Sequence, residues 1–195
     1  MEDSRRRGRR TLLLVAALFL LPVALAFALY YGIAWRPSGS SSKGELITPA
    51  RPLATTALRQ PDGTAAGSDA LQGKWSIVYV GDGACDDDCR TSLVYARQSR
   101  LALNNEMSRV QIVMLASAHC CQRDLEQHVP GIRLFDASGI DAAPLLAQFP
   151  DQRRARSLFI VDPLGNLMMR HAPSVGLSKD LLEDLRKLLK LSHIG

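Results

Sequence analysis

Trp75-Ser76-Ile77-Val78-Tyr79-Val80-Gly81-Asp82-Gly83-Ala84-Cys85-Asp86-Asp87-Asp88-Cys89 passes from a strand, through a glycine loop, to a helix that opens on two cysteines. Residues 75–80 are short, β-branched and aromatic, the composition of a buried strand. Gly81 to Ala84 breaks that run. From Cys89 to Ser108 the apolar residues Leu93, Ala96, Leu101 and Met107 fall where an amphipathic helix needs them. The cysteines therefore stand at a helix start, where the partial positive charge of aligned peptide dipoles favours a thiolate.

The pattern continues on both sides. Val110 to Ala116 predicts a second buried strand, with His119-Cys120-Cys121 at its end and a short helix from Gln122 to His128. Ile132 to Phe135 reads as an edge strand. Ser157 to Val161 and Leu167 to His171 flank Asp162-Pro163-Leu164-Gly165-Asn166, the chemistry of a hairpin turn. Ser178 is placed to cap a last helix, whose Leu181, Leu182, Leu185, Leu188 and Leu189 have the spacing of a core-packing face. Upstream, Gln60-Pro61-Asp62-Gly63 marks a turn. Gly44 to Leu53 is semi-extended, because Pro49 and Pro52 oppose a helix. Strands alternating with helices predict an α/β domain with a small central sheet flanked by helices.

Between Thr11 and Trp35 no charged residue occurs. Such a run, rising about 1.5 Å per residue, spans a hydrocarbon core of roughly 30 Å. Pro22 is tolerated in a lipid-embedded helix, and Tyr30, Tyr31 and Trp35 suit the headgroup zone. Ala24-Leu25-Ala26 has the form of a signal cleavage site, but the apolar run continues past it, which favours a retained anchor. The arginines at 5, 6, 7, 9 and 10 should stay cytoplasmic, so the domain faces the periplasm from an inner-membrane, single-pass anchor. These arginines carry most of the net charge of +5, and what remains gives no nucleic-acid footprint. The expected organisation is a basic N-terminus at 1–10, a transmembrane helix at 11–35, a linker at 36–57 and a domain at 58–195.

Cys85 and Cys89, four residues apart, share one helix face. Two sulfurs so placed converge on one soft ion or close a disulfide. Asp86, Asp87 and Asp88 suit the helix dipole and attract a cation, but they oppose thiolate formation beside them. Metal binding, thiol exchange and a structural bridge all remain open on these residues alone.

Gly73-Lys74-Trp75, the hydrophobic strand, Cys85-x-x-x-Cys89 at a helix start, and Phe159-Ile160-Val161-Asp162-Pro163-Leu164-Gly165 together resemble the Sco/SenC family, over about Leu58 to Leu191. The resemblance implies a thioredoxin-like fold behind a membrane anchor. It also implies a role in supplying copper to cytochrome c oxidase, or in reducing the oxidase's copper-site thiols. Cys85 and Cys89 would then be both the redox-active pair and the copper ligands. This chain departs from the family pattern twice. Asp86 and Arg90 stand where the family usually has prolines, and the family's ligand histidine falls at Arg154 or a near neighbour, where a guanidinium cannot ligate.

Other residues are weaker candidates. Cys120 and Cys121 adjoin His119, but adjacent cysteines bind one ion poorly, and strand ends commonly hold small apolar thiols. His128 lies at a helix end, His171 is expected on the sheet surface, and His193 falls in the tail. Arg153, Arg154 and Arg156 form a basic loop. No Ser/His/Asp set, phosphate loop or zinc-protease motif occurs. The leading expectation is a periplasm-facing assembly factor for a copper-containing respiratory oxidase, acting on a protein partner such as an oxidase subunit. The alternatives are a membrane-tethered thiol–disulfide oxidoreductase, in which Cys85 attacks and Cys89 resolves, and an interaction module with a structural disulfide. The missing proline before Ser157 and the three-residue acidic spacer count against an efficient oxidoreductase.

Overall fold

The computed structural model describes residues 2–32, 41–55, 57–82, 84–118, 122–150, 156–192 and 194. It contains two compact units, residues 1–41 and 42–195.

The first unit is the helix α1, Glu2–Gly32. Its stretch Arg6–Ala28 has a mean hydropathy of 2.6 and is long and apolar enough to cross a membrane. The helix begins well before Thr11 and takes in the arginine cluster. This costs nothing structurally, because arginine is a good helix former. Trp35 lies outside the described residues.

The second unit is a six-stranded sheet in the order β1-β6-β5-β2-β3-β4. Its strands are β1 Glu45–Pro52, β2 Trp75–Gly81, β3 Val110–Ala116, β4 Arg133–Asp136, β5 Leu158–Val161 and β6 Asn166–His171. Strands β2, β3 and β4 are parallel, while β5, β6 and β1 add on antiparallel. Helix α2, Asp87–Leu101, connects β2 to β3, α3, Gln122–His128, connects β3 to β4, and α5, Leu177–Leu191, closes the chain. The short α4, Ala143–Leu146, precedes β5.

Strands β2, β3 and β5 are apolar on both sides because both faces of the sheet are covered. On one face Ile77, Tyr79, Ile112, Met114, Leu158 and Ile160 meet Leu93 and Ala96 of α2 and the Leu177, Leu181, Leu185, Leu189 stripe of α5. On the other, Val78, Val80, Val113, Leu115, Phe159 and Val161 meet Leu53, Leu58, Leu71 and Leu145. There Phe149 packs edge-on against Phe159, with ring centroids 5.1 Å apart.

Strand register decides what shares an end of the sheet. Tyr79 pairs with Met114 on one side and with Leu158 on the other, and Leu158 pairs with His171. These four residues form one row near the C-terminal end of β2, beside the loop that carries the cysteines. Glu45 pairs with Arg170, so the chain joins the sheet from residue 44 at this same end.

Three elements differ from the sequence expectation. Residues 45–52, inside the stretch read as a linker, pair with β6. Pro49 and Pro52 fit there because an edge strand need not donate on its outer side. Helix α2 stops at Leu101 and Asn104 takes φ 52°, so Leu101 and Met107 are exposed and do not extend the apolar face. Helix α5 starts from Gly176, with no side-chain cap. Ser178 sits inside its first turn, where its carbonyl accepts the Ser99 hydroxyl at 2.9 Å.

Candidate functional site

Cys85 and Cys89 form a disulfide across the start of α2, with Cα atoms 5.0 Å apart. Asp86, between them, is the helix N-cap, and its Oδ1 accepts the Cys89 N–H at 2.9 Å. This bond satisfies one of the orphan amides at the helix start. The other two aspartates are also paired. Asp87 accepts from Arg90 Nη1 at 3.1 Å, and Asp88 is ion-paired with Arg156.

Arg156 comes from the segment leading into β5 and takes φ 63°. Its carbonyl accepts the Ser92 hydroxyl at 3.2 Å, tying this segment to α2. Burial pushes the Tyr79 phenol's pKa up, aided by the negative charges of Asp86, Asp82 and Asp88, so the phenol stays neutral at physiological pH.

Both cysteines are almost wholly buried, yet they line a cleft of about 340 Å³ at the C-terminal end of the sheet. Tyr79, Gly81, Asp82 and Met114 complete its principal walls. Gly81 has a packing reason to be glycine. A Cβ there would stand 2.9 Å from Tyr79 Cε1 and 3.3 Å from Met114 Cε. Asp82 accepts the Ala84 N–H at 3.1 Å and shapes the loop before the first cysteine.

The structure brings Cys85 and Cys89 together and, among the described residues, places His128 and His171 elsewhere. His128 is exposed at the end of α3. His171 is not on the sheet surface but buried, only 2% exposed, with Nε2 3.5 Å from Asp184 Oδ2. The expectation failed because α5 covers this face of β6. Burial lowers the His171 pKa, and the opposing pull of Asp184 and Asp180 does not offset it. Asp184 Oδ2 also accepts the N–H groups of Lys43 and Gly44, each at 2.8 Å. His119, Cys120, Cys121, Arg153, Arg154 and His193 lie outside the described residues. Among the described residues, no three of His, Cys, Asp and Glu are grouped to hold a metal ion. Tyr79 and Met114 were missed as site residues. Strand alternation puts them on the α2 face, but only the pairing of β2 with β3 sets them side by side under the cysteines.

Comparison with known proteins agrees with this architecture. The chain resembles apo Sco1 from Thermus thermophilus at a TM-score of 0.58 and 17% identity, over 78% of this chain and 99% of that one. Copper-bound yeast Sco1 gives 0.58 and 17%, over 79% and 96%. MTB dsbF, solved in mixed oxidized and reduced forms, gives 0.50 and 16%, over 71% and 98%. At these identities the likeness is one of fold, a Sco-like thioredoxin fold. No curated protein matches the chain. Residues 75–192 match the family described as the transmembrane-like, thioredoxin-like C-terminal domain, and residues 2–32 match the transmembrane-like N-terminal domain. With strands β2 to β6, the helices among them and the cysteine-bearing loop all inside the longer match, the chain belongs to the transmembrane-like, thioredoxin-like family.

Proposed function

We propose that this protein is a membrane-anchored, extracytoplasmic assembly factor for a respiratory cytochrome c oxidase. In this reading the Cys85–Cys89 pair alternates between disulfide and dithiol, and the dithiol carries Cu(I) to the oxidase or keeps the oxidase's copper-site thiols reduced. The observation that carries the reading is the bridged pair at the head of α2, opening on a cleft at the end of the sheet. Thiolate sulfurs suit Cu(I), a soft ion. The acidic spacer is less of an obstacle than it looks in the sequence, because Asp87 and Asp88 each face an arginine. The arginines that precede the apolar helix support a cytoplasmic N-terminus and a periplasmic domain in the inner membrane.

The test is a titration of full-length, reduced protein in detergent with Cu(I) against a competing chelator. One tight equivalent is expected, and it should disappear in Cys85→Ser and Cys89→Ser. Binding no greater than that of the double variant would sink the copper role. In cells, deletion of the gene should lower oxidase activity under copper limitation and be relieved by added copper.

A second reading, a tethered thiol–disulfide oxidoreductase with Cys85 attacking and Cys89 resolving, is favoured by the disulfide itself and by the cleft that reaches both sulfurs. A reduction potential below about −300 mV would point instead to a bridge that stays closed.

A further inference from the structure

We propose that Met114 supplies a third sulfur to Cu(I) held between Cys85 and Cys89, in place of a histidine. The inference rests on the copper reading above and names the ligand set of that same site. Met114 lies near the C-terminal end of the parallel pair β2–β3, directly beside Tyr79 and on the face that carries both cysteines. Its side chain is wholly buried, and its methyl end is directed toward Gly81, the last residue of β2. Cys85, Cys89 and Met114 line the one cleft of about 340 Å³, so all three sulfur-bearing side chains border the same space.

The other groups on that cleft are poorer donors for a soft ion. Asp82 and Asp86 offer hard carboxylate oxygens, each already accepting a backbone N–H. Tyr79 offers a neutral phenol. A thioether adds a soft donor and no further charge. That matters beside two thiolates, because every extra anion in a buried site raises the cost of desolvation. Met114 also has three rotatable bonds with which to adapt to the ion.

The bridge must open before the site exists. An external dithiol gives two electrons and two protons to the Cys85–Cys89 bond and leaves as its own disulfide, producing two thiols on this chain. Cu(I) then displaces both thiol protons to solvent. The product is a bis-thiolate, thioether complex with one net negative charge.

Selenomethionine labelling tests this directly. Reduced, full-length, labelled protein is loaded with one equivalent of Cu(I), and X-ray absorption is recorded at the selenium edge. A copper neighbour to selenium is expected, and it should vanish in Met114→Leu, which keeps the other four methionines. Met114→Leu should also weaken Cu(I) binding at least about tenfold in chelator competition, in the range seen when support around a metal is lost. The variant is near-isosteric and should keep the fold, read as an unfolding midpoint of the oxidised protein close to that of wild type. If the protein binds one equivalent through its cysteines but selenium sees no copper, the Met114 assignment is overturned while the copper reading stands. If reduced wild type binds no Cu(I), both are overturned.

Discussion

Each aspartate between the cysteines has its own neighbour, and the three neighbours differ in what they contribute. Asp86 accepts a backbone N–H at the start of α2, a bond that removes an unsatisfied donor from the helix beneath the site. Asp86→Ala should therefore lower stability by about 0.5–2 kcal/mol, read from thermal unfolding of the full-length protein in detergent. Asp88 and Arg156 are 41% and 55% exposed, and water screens their attraction. Asp88→Ala should cost no more than about 1 kcal/mol in the same assay. If Asp88→Ala proved the more damaging, the Arg156 segment would be holding α2 more firmly than its exposure suggests. The spacing of the cysteines and their helical context are legible in the sequence, since both are local. The pairing of Asp88 with Arg156 joins residues far apart in the chain, and only the packing of α2 against the segment before β5 creates it.

At the scale of elements, α5 shows how a sequence pattern becomes stability. Leu177, Leu181, Leu185 and Leu189 recur at intervals of four and all face the sheet, while Leu182 and Leu188 are only partly buried against it. Leu185→Ala, at a fully buried site, should cost about 2–5 kcal/mol in chemical denaturation, most of it from the cavity left between α5 and the sheet. In the β5–β6 turn Gly165 takes φ +88°, and Asp162 Oδ1 accepts the N–H groups of Leu164 and Asn166 at 2.9 and 2.8 Å. A side chain at residue 165 would be strained by about 1–2 kcal/mol, so Gly165→Ala should lower the unfolding midpoint accordingly. Strands β2 and β3, helix α3 and this hairpin follow from local patterns, and the sequence predicts them within a residue or two. Strand β1 does not, because it carries two prolines, is almost wholly exposed and owes its conformation to β6. The start of α5 was misplaced for a related reason. Ser178 is a good cap in isolation, but here Ser99 of α2 engages it in the packed helix.

Across the whole molecule, the buried group formed by His171, Asp184 and the backbone at Gly44 links three elements that no local pattern connects. Burial holds the pKa of His171 below its ordinary value of 6.5, so the unfolded chain takes up a proton that the folded one resists. Stability should be flat above about pH 6.5, fall as pH drops below it, and stop falling through this group once folded His171 is itself protonated. Comparing denaturation of wild type and His171→Leu between pH 7.5 and 5 checks this, and the variant should lose that part of the slope. Asp184 has a further consequence, for where the chain can be cut. Its carboxylate is 1% exposed and is held by the Lys43 and Gly44 amides, with Lys187 Nζ 3.6 Å from the other oxygen. A protease nick before Ser42 would leave these contacts whole and release an intact soluble domain. A nick beyond Gly44 would strand a buried charge and begin to peel β1 from the sheet. Limited proteolysis of the anchored protein should therefore yield a long-lived fragment starting no later than Lys43, and shorter ones should be degraded as they form.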